Sequence, residues 1–314
     1  MSDLNSISAA EDPAKLATDT EPRPRAKKDK PRSLAGDAWN DLRKSKIFWV
    51  ASFLVFVVVL MAAWPTLFTS ADPLQCSLSR QFKGPSGGAY FGYDFQGCDI
   101  YAKTIHGAHN SIKIGLWSTG IAGVIGILFG LSAGYFGGLA DAILSRIVDI
   151  MLAIPFLLAG IVLSRRLSSE PGSDGVLAVI LTLGLLTWTS GARVMRSAVI
   201  ASKNQDYVAA GRMLGATPAR LMLRHILPNS IASFIVVLTI LLGVNIASEA
   251  TLSFLGVGLK GEAISWGISI SEGTRFARTQ AAPLVWPALF LGMTVLAFIM
   301  LGDAIRDAFD PKLR

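Results

Sequence analysis

The sequence predicts an all-α, polytopic membrane protein with six transmembrane helices. Hydrophobic residues occupy 52% of its 314 positions and charged residues only 16%, and the mean hydropathy is +0.50, unlike an average soluble domain. Five stretches without Asp, Glu, Lys or Arg each contain a run near the roughly 20 residues that a spanning helix needs: Lys46 to Asp72, Lys113 to Asp141, Asp174 to Arg193, Arg224 to Glu249 and Arg278 to Asp303. A sixth apolar run, at about 144–163, contains a single acid, Asp149.

The distribution of basic residues orients the chain. With both termini in the cytoplasm, 20 of the 29 Lys and Arg residues lie on the cytoplasmic side, which agrees with the excess of basic residues found in cytoplasmic loops. The net charge of +7 therefore follows from topology. It does not indicate a nucleic-acid partner, because the basic residues flank apolar spans and no aromatic and basic recognition module accompanies them.

Residues 1–45 are expected to form a disordered, basic cytoplasmic tail. Its basic run, 23–32, is interrupted by prolines and is suited to contact with anionic membrane lipid. The first transmembrane helix is expected at 46–69, too late and too long for a cleaved signal peptide. An external segment, 70–112, follows it.

The external segment contains both cysteines of the chain, Cys76 and Cys98. An oxidising exterior permits a disulfide between them. Two free thiols, or two small hydrophobic residues without a redox role, are the alternatives.

Residues 113–314 are expected to form a five-helix core that ends in a cytoplasmic C-terminal tail. Its first helix carries small residues every four positions, at Ala122, Gly126, Gly130, Gly134 and Gly138. Such a stripe permits another helix to approach closely. The neighbour could be a helix of this chain, which we favour, or one of a partner.

Two acids within apolar spans are candidates for a translocation pathway, because intramembrane charges are costly and often functional. Asp149 lies about one turn into the third span, where Arg146 is at helical spacing, so a structural salt bridge is favoured over a proton relay. Glu249 lies near the external end of the fifth span. It could face a cavity, or it could pair with a residue of another helix.

A polar segment, 204–228, separates the fourth and fifth spans and is predicted to form two short helices joined at a glycine. Gly215 supplies the left-handed residue that ends the first helix, Thr217 caps the second, and Pro218 suits its first position. Met213, Leu214, Leu221 and Leu223 are available to pack, and the arginines are exposed. Held at a membrane surface, this element suits docking into a groove of another protein. The alternative is an ordinary amphipathic loop helix.

The chain offers no catalytic machinery of its own. It contains no Gly-Lys dipeptide and hence no phosphate-binding loop. Its three histidines, His106, His109 and His225, lack the partners of a metal site. No catalytic residue, metal or cofactor is therefore expected in this chain.

The segment 204–228 resembles the EAA loop of ABC-importer permeases, in which a Glu-Ala-Ala triplet, a glycine four positions later and a closing Leu-Pro form the helices that dock on the ATPase. Ala209 stands at the glutamate position. The resemblance implies that the ATPase-coupling residues are Asp206, Ala209, Ala210, Gly211, Arg212, Gly215, Arg220, Arg224, Leu227 and Pro228.

Further segments are similar to the dipeptide, oligopeptide and nickel permeases of that class, and the resemblance extends over about 45–314. They are 91–115, where Cys98 stands at a position usually occupied by arginine, 146–155, 248–258, 266–267 and 302–311. The chain looks most like the second of the two permeases of such transporters.

The resemblance implies a type I ABC-importer permease in a prokaryotic inner or plasma membrane, importing dipeptides or oligopeptides by alternating access. The implied partners are a homologous second permease, two ATPase subunits that bind ATP and Mg, and an extracytoplasmic peptide-binding protein that meets segments 70–112 and 256–282. A nickel permease is the alternative within the family. A secondary transporter is disfavoured because inverted repeats and paired deep charges are not evident, and a structural scaffold would not need the coupling loop.

Overall fold

The computed structural model describes residues 34–168 and 174–309, and its regular elements are helices. In chain order, the α- and π-helices are α1 (Leu34–Lys44), α2 (Lys46–Ala63), α3 (Ile100–Phe136), α4 (Gly138–Ala153), α5 (Phe156–Leu167), α6 (Val176–Lys203), α7 (Asp206–Met213), α8 (Pro218–Arg220), a π-helix (Leu221–Ile226), α9 (Leu227–Phe254), α10 (Trp266–Thr274) and α11 (Ala282–Phe309). Two short 3-10 helices, Pro65–Leu67 and Leu78–Arg80, lie between α2 and α3. The basic run 23–32 lies outside the described residues.

Five helices are long and apolar enough to cross a membrane, and a bent pair, α4 with α5, makes a sixth span if it is counted as one. Five of the six predicted spans are thus found as single helices, and the third predicted span corresponds to the bent pair. Its two halves meet at 89°. The break lies at Ile154, which is extended, because the residue before a proline, here Pro155, is disfavoured in helical conformation.

Two expected boundaries differ from the structure. The end of the predicted tail is helical, because Leu42 of α1 is buried against Ala304 and Ala308 of α11. The external segment ends earlier than expected, since α3 begins at Ile100, where Asp99 accepts hydrogen bonds from the N–H groups of Tyr101 (2.8 Å) and Ala102 (3.2 Å). With 37 residues, α3 is about 55 Å long and extends beyond the hydrocarbon layer.

The small-residue stripe of α3 packs against α6 of the same chain. A Cβ atom at Gly130 would lie 2.6 Å from the carbonyl oxygen of Ala192, and one at Gly134 would lie 2.7 Å from the Val199 side chain. Gly138 is the first residue of α4, and a Cβ atom there would have no neighbouring atom within 4 Å. The favoured alternative, intramolecular packing, is therefore the one that the structure shows for Gly126, Gly130 and Gly134.

The segment predicted to be external is folded onto the N-terminal ends of α3 and α11. A disulfide joins Cys76 to Cys98, as the two cysteines suggested. The ammonium group of Lys103, in α3, lies 2.7 Å from the carboxylate of Asp94. The ring of Phe91 stacks on Trp286 of α11 with 3.9 Å between centroids. The segment is thus fixed to the bundle by a covalent link, an ion pair and an aromatic contact.

We predict that Gly130→Ala destabilises the protein by about 1–3 kcal/mol, because the new methyl group meets a backbone carbonyl. The free energy of unfolding in mixed micelles measures the effect. Gly120→Ala is the matched control, since Gly120 lies in the same helix and faces open space. That variant should be neutral or gain up to about 1 kcal/mol. Equal effects of the two substitutions would contradict close packing of α3 on α6.

We also predict that a membrane-impermeant maleimide labels neither cysteine of the intact chain until a reductant is added. Replacing both cysteines by serine should then cost about 3 kcal/mol, since the bond closes a loop with a sequence separation of 22. Labelling without reduction would show that the thiols are free.

Candidate functional site

The segment between α6 and α9 forms the predicted helical hairpin. The first helix, α7, begins at Asp206 and ends at Met213, and Gly215 follows with φ of +79°. The Thr217 hydroxyl oxygen then accepts a hydrogen bond from the N–H of Arg220 at 3.4 Å, with Pro218 in the first turn of α8. The turn chemistry expected from the sequence is therefore present.

One face of this hairpin is anchored in the bundle. Val208, Leu221 and Ile226 are buried and pack in one cluster with Met195 and Val199 of α6. Gly211 permits the closure of the hairpin, because a Cβ atom there would lie 3.0 Å from the Leu221 side chain. The base of the hairpin is thus buried against α6.

The tip of the hairpin carries apolar side chains without cover from this chain. Met213 is 84% exposed and Leu214 is 88% exposed, and Leu223 is also exposed. Of the residues that the resemblance implies for coupling, Gly211 and Leu227 are partly buried and the others are exposed: Asp206, Ala209, Ala210, Arg212, Gly215, Arg220, Arg224 and Pro228. Apolar groups rimmed by charges on a rigid base are typical of a protein-binding surface.

The second half of the hairpin is continuous with a transmembrane helix. Residues Pro218–Phe254 form one helical span of 37 residues, in which Leu221–Ile226 are π-helical. Pro228 has no N–H to donate and its ring crowds the carbonyl group four residues earlier. The wider π turn relieves this crowding, and the N–H of Leu227 donates to the carbonyl oxygen of Met222, five residues back.

Asp149 lines a cavity of about 400 Å³ between α3, α4 and α6. Its ion-pair partner is Arg193 of α6, at 2.7 Å, and not Arg146, the partner that helical spacing suggested. Both side chains of the pair are half-exposed. Deeper in the wall, Arg196 donates two hydrogen bonds to Asp141, at 2.5 and 2.6 Å.

Glu249 is enclosed by the chain's own atoms. It is 0% exposed, and its carboxylate accepts hydrogen bonds from the hydroxyl groups of Ser111 (3.1 Å), Ser253 (2.8 Å) and Ser265 (2.9 Å). The sequence left open whether Glu249 faces a cavity or pairs with a residue of another helix. The structure shows the second arrangement, through Ser111 of α3 and Ser265 at the start of α10.

Several contacts in these sites could not be predicted from local sequence spacing, because the partners are far apart in the chain. Arg193 and Arg196 are separated from their acids by 44 and 55 positions, and Ser111 from Glu249 by 138. Only Ser253, one helical turn after Glu249, could have been found by spacing. Within 34–168 and 174–309, no group of three or more His, Cys, Asp or Glu side chains is placed to hold a metal ion.

Comparisons with known proteins give the family. Residues 126–314 match the family model described as a binding-protein-dependent transport system inner membrane component. The oligopeptide transport system permease protein OppC of Bacillus subtilis (strain 168) is 36% identical, over 90% of this chain and 91% of its own length. The dipeptide transport system permease protein DppC of the same organism is 33% identical, over 90% and 87%. The glutathione transport system permease protein GsiD of Escherichia coli O6:K15:H31 is 33% identical, over 93% and 95%.

A chain of the inward-facing MetNI methionine ABC transporter shares the fold, with a TM-score of 0.53 at 21% identity, over 66% of this chain and 96% of that chain. The expected type I permease architecture is thereby confirmed, and the relatives named above confirm the predicted resemblance to dipeptide and oligopeptide permeases. By its sequence and its fold, the chain belongs to the binding-protein-dependent transport system inner membrane components, the membrane-spanning permeases of ABC importers.

Proposed function

We propose that this chain is the permease subunit of an ATP-driven importer of peptides. The observation that carries the proposal is the hairpin 204–228, whose base is buried in the bundle and whose apolar tip is uncovered. The relatives named above are permeases for oligopeptides, dipeptides and glutathione, which is itself a peptide. Nickel is not favoured, because these relatives are named for peptides.

The proposed assembly contains a homologous second permease and two ATPase subunits that bind ATP and Mg. One ATPase receives the hairpin tip in a groove, with Met213 and Leu214 as the apolar contacts and Arg212, Arg220 and Arg224 at the rim. The chain itself contributes no catalytic group to ATP hydrolysis. With the termini in the cytoplasm, an extracytoplasmic peptide-binding protein meets the disulfide-bonded external segment and the region around α10.

The proposed mechanism is alternating access. Closure of the ATPases on ATP moves the hairpin, and because its buried base is packed against α6 and continuous with α9, the helices move with it. Co-purification of the tagged chain, followed by an ATPase assay and uptake of a labelled dipeptide into proteoliposomes, tests the assembly. Uptake driven by an ion gradient without ATP would contradict it.

We further propose that Asp149 belongs to the peptide pathway together with Arg193. A peptide at neutral pH carries an ammonium and a carboxylate group, and this pair offers one charge of each complementary sign on a cavity wall. A half-exposed single contact is a weak ion pair, so its two members can exchange each other for the ends of a peptide. The bidentate Asp141–Arg196 pair beneath it is geometrically better fixed.

We predict that Gly215→Val abolishes peptide uptake and ATPase co-purification while membrane insertion is retained. No atom lies within 4 Å of a Cβ at this position, so the effect comes from the backbone, whose left-handed conformation costs an ordinary residue about 1–2 kcal/mol. Gly215→Asn is the first control, since asparagine tolerates this conformation, and it should retain uptake.

Gly261→Val is the second control for this experiment. Gly261 has the same type of conformation, with φ of +65°, and the same open surroundings, but it lies in the loop before α10. It should keep the ATPase bound. Full uptake by Gly215→Val, or equal loss of the ATPase from both valine variants, would contradict docking through the hairpin.

We predict that the double variant Asp149→Asn with Arg193→Gln imports a dipeptide about tenfold more slowly per assembled complex, since hydrogen bonds to charged groups are worth roughly 1.5–3 kcal/mol. Removing both charges of a half-exposed pair leaves no unpaired charge, so the yield of complex should not fall. Uptake of labelled dipeptide into proteoliposomes measures the rate. An unchanged rate would assign the pair a structural role only.

A further inference from the structure

The hydroxyl groups around Glu249 come from three different parts of the chain. Ser111 lies in α3, Ser253 lies one turn after Glu249 in α9, and Ser265 is the residue that caps α10. In the described part of the chain, the hydrogen-bond partners of this carboxylate are hydroxyl groups, and none is a cationic side chain. The cluster therefore joins three elements through one buried acid.

These hydrogen bonds run from the serines to Glu249. Each serine hydroxyl group donates its proton to a carboxyl oxygen of Glu249 and keeps its own oxygen lone pairs for another donor. Ser265 accepts from the N–H of Ile268 and Ser111 accepts from the N–H of Trp266, each at 3.3 Å. Two N–H groups at the start of α10, which lack partners within that helix, are satisfied in this way.

Close packing surrounds the cluster. Trp266 is 0% exposed, and its indole N–H donates to the carbonyl oxygen of Thr104 at 2.8 Å. A Cβ atom at Gly267 would lie 2.6 Å from the Cα of Ala250, so the backbones of α9 and α10 touch. The amide of Asn110 donates to the carbonyl oxygen of Ile264 at 2.8 Å. The start of α10 is thus pinned to α3 and to the outer end of α9.

The opposite end of α9 is the docking hairpin. The helical span Pro218–Phe254 runs without interruption from the exposed turn after Gly215 to one turn beyond Glu249. Its 37 residues make a rod about 55 Å long. A displacement applied at the cytoplasmic end therefore reaches the Glu249 cluster through one continuous helix.

We infer that Glu249 is a positioning residue that fixes α10 to the outer end of α9, so that the ATPase-docking hairpin and the external helix α10 move as one body. Closure of the ATPases is then transmitted to the external surface around α10, and occupation of that surface by a loaded binding protein is transmitted back to the ATPases. This inference rests on the proposed function, which supplies the two partners.

The variant that tests the inference is Glu249→Leu, assayed in the complete transporter in proteoliposomes. We expect basal ATPase activity to persist, while its stimulation by the cognate binding protein loaded with dialanine falls about tenfold, within the usual range for coupling between sites. Glu249→Gln should retain most of the stimulation, because its amide oxygen still accepts from two serines and its amide N–H can donate to the third. A residue needed only to fill space would not distinguish Gln from Leu in this ratio.

Ser248→Ala is the matched control. Ser248 precedes Glu249 in the same helix, but its hydroxyl group donates to the carbonyl oxygen of Val244 in that helix, at 2.8 Å. This variant loses a hydroxyl without loosening α10, so it should keep the wild-type ratio of stimulated to basal ATPase activity. If Glu249→Leu fails to assemble, Ser265→Ala, which removes one donor and little volume, takes its place with the same expected direction.

A distance measurement tests the rigid body directly. Nitroxide labels on Ala219→Cys in α8 and Thr274→Cys at the end of α10 report the separation of the two ends, and both native residues are exposed. The native cysteines are in a disulfide and need not be removed. We expect one narrow distance distribution, unchanged by ATP, that broadens in Glu249→Leu and stays narrow in Ser248→Ala.

Two outcomes would overturn the inference: a Glu249→Leu transporter with the wild-type stimulation ratio, or one with an equally narrow distance distribution. Failure of the proposed function looks different. A wild-type complex that the loaded binding protein does not stimulate would count against the proposed partners, while the distance measurement would still decide whether Glu249 fixes α10.

Discussion

The close contact between α3 and α6 is the constraint on which the rest of the structure depends. In lipid, apolar surface alone gives helices little reason to associate, so contact requires backbones that approach closely. Gly126, Gly130 and Gly134 supply this on α3, and Gly184 supplies it on α6, where a Cβ atom would lie 2.8 Å from Ile121. At the C-terminal end of α6, the ammonium group of Lys203 donates to the carbonyl oxygens of Gly134 and Tyr135, each at 3.0 Å. Because α7 begins three residues after Lys203, this contact also positions the hairpin that we propose as the docking element.

The third span depends on α6 in a different way. It is broken at Ile154, so α4 and α5 cannot stabilise one another as a single helix. Each half instead has a polar contact with α6: Arg196 bonds Asp141 of α4 through two atoms, and Ser164 of α5 donates to Thr182 at 3.2 Å. The Asp149–Arg193 contact is single and half-exposed, so it adds little to that attachment.

Features that depend on local chemistry were predictable from the sequence. Uncharged runs located the spans, and Gly215, Thr217 and Pro218 located the turn of the hairpin, because each acts within a few residues of its own position. Pro155 also carried a local signal, but the apolar run around it favoured an unbroken helix. The distant partners, Arg193 for Asp149 and Ser111 for Glu249, were not predictable, since they meet these acids only after α3, α4, α6 and α9 have packed. The uncharged stretch after Lys113 likewise could not show where α3 begins. The helix starts at Ile100, and its first turns contain charged residues.

The π-helix at Leu221–Ile226 allows the hairpin to end sharply and still remain connected to α9. The proposed docking role of the hairpin needs a sharp end at the membrane surface, and Pro228 in a regular α-helix would give a kink or a break. A break would separate the hairpin from α9, so that a displacement of the tip would be absorbed locally. The wider turn keeps a continuous hydrogen-bonded path, with the Asn229 side chain donating to the carbonyl oxygen of His225 at 2.6 Å.

π-helical turns are frequent at functional positions. Here the turn lies where Leu221 and Ile226 are buried and Leu223 and Arg224 are exposed, so it sets which side chains of the hairpin face the bundle and which remain for a partner. The register of the proposed docking surface is therefore set by the helix that follows it, α9.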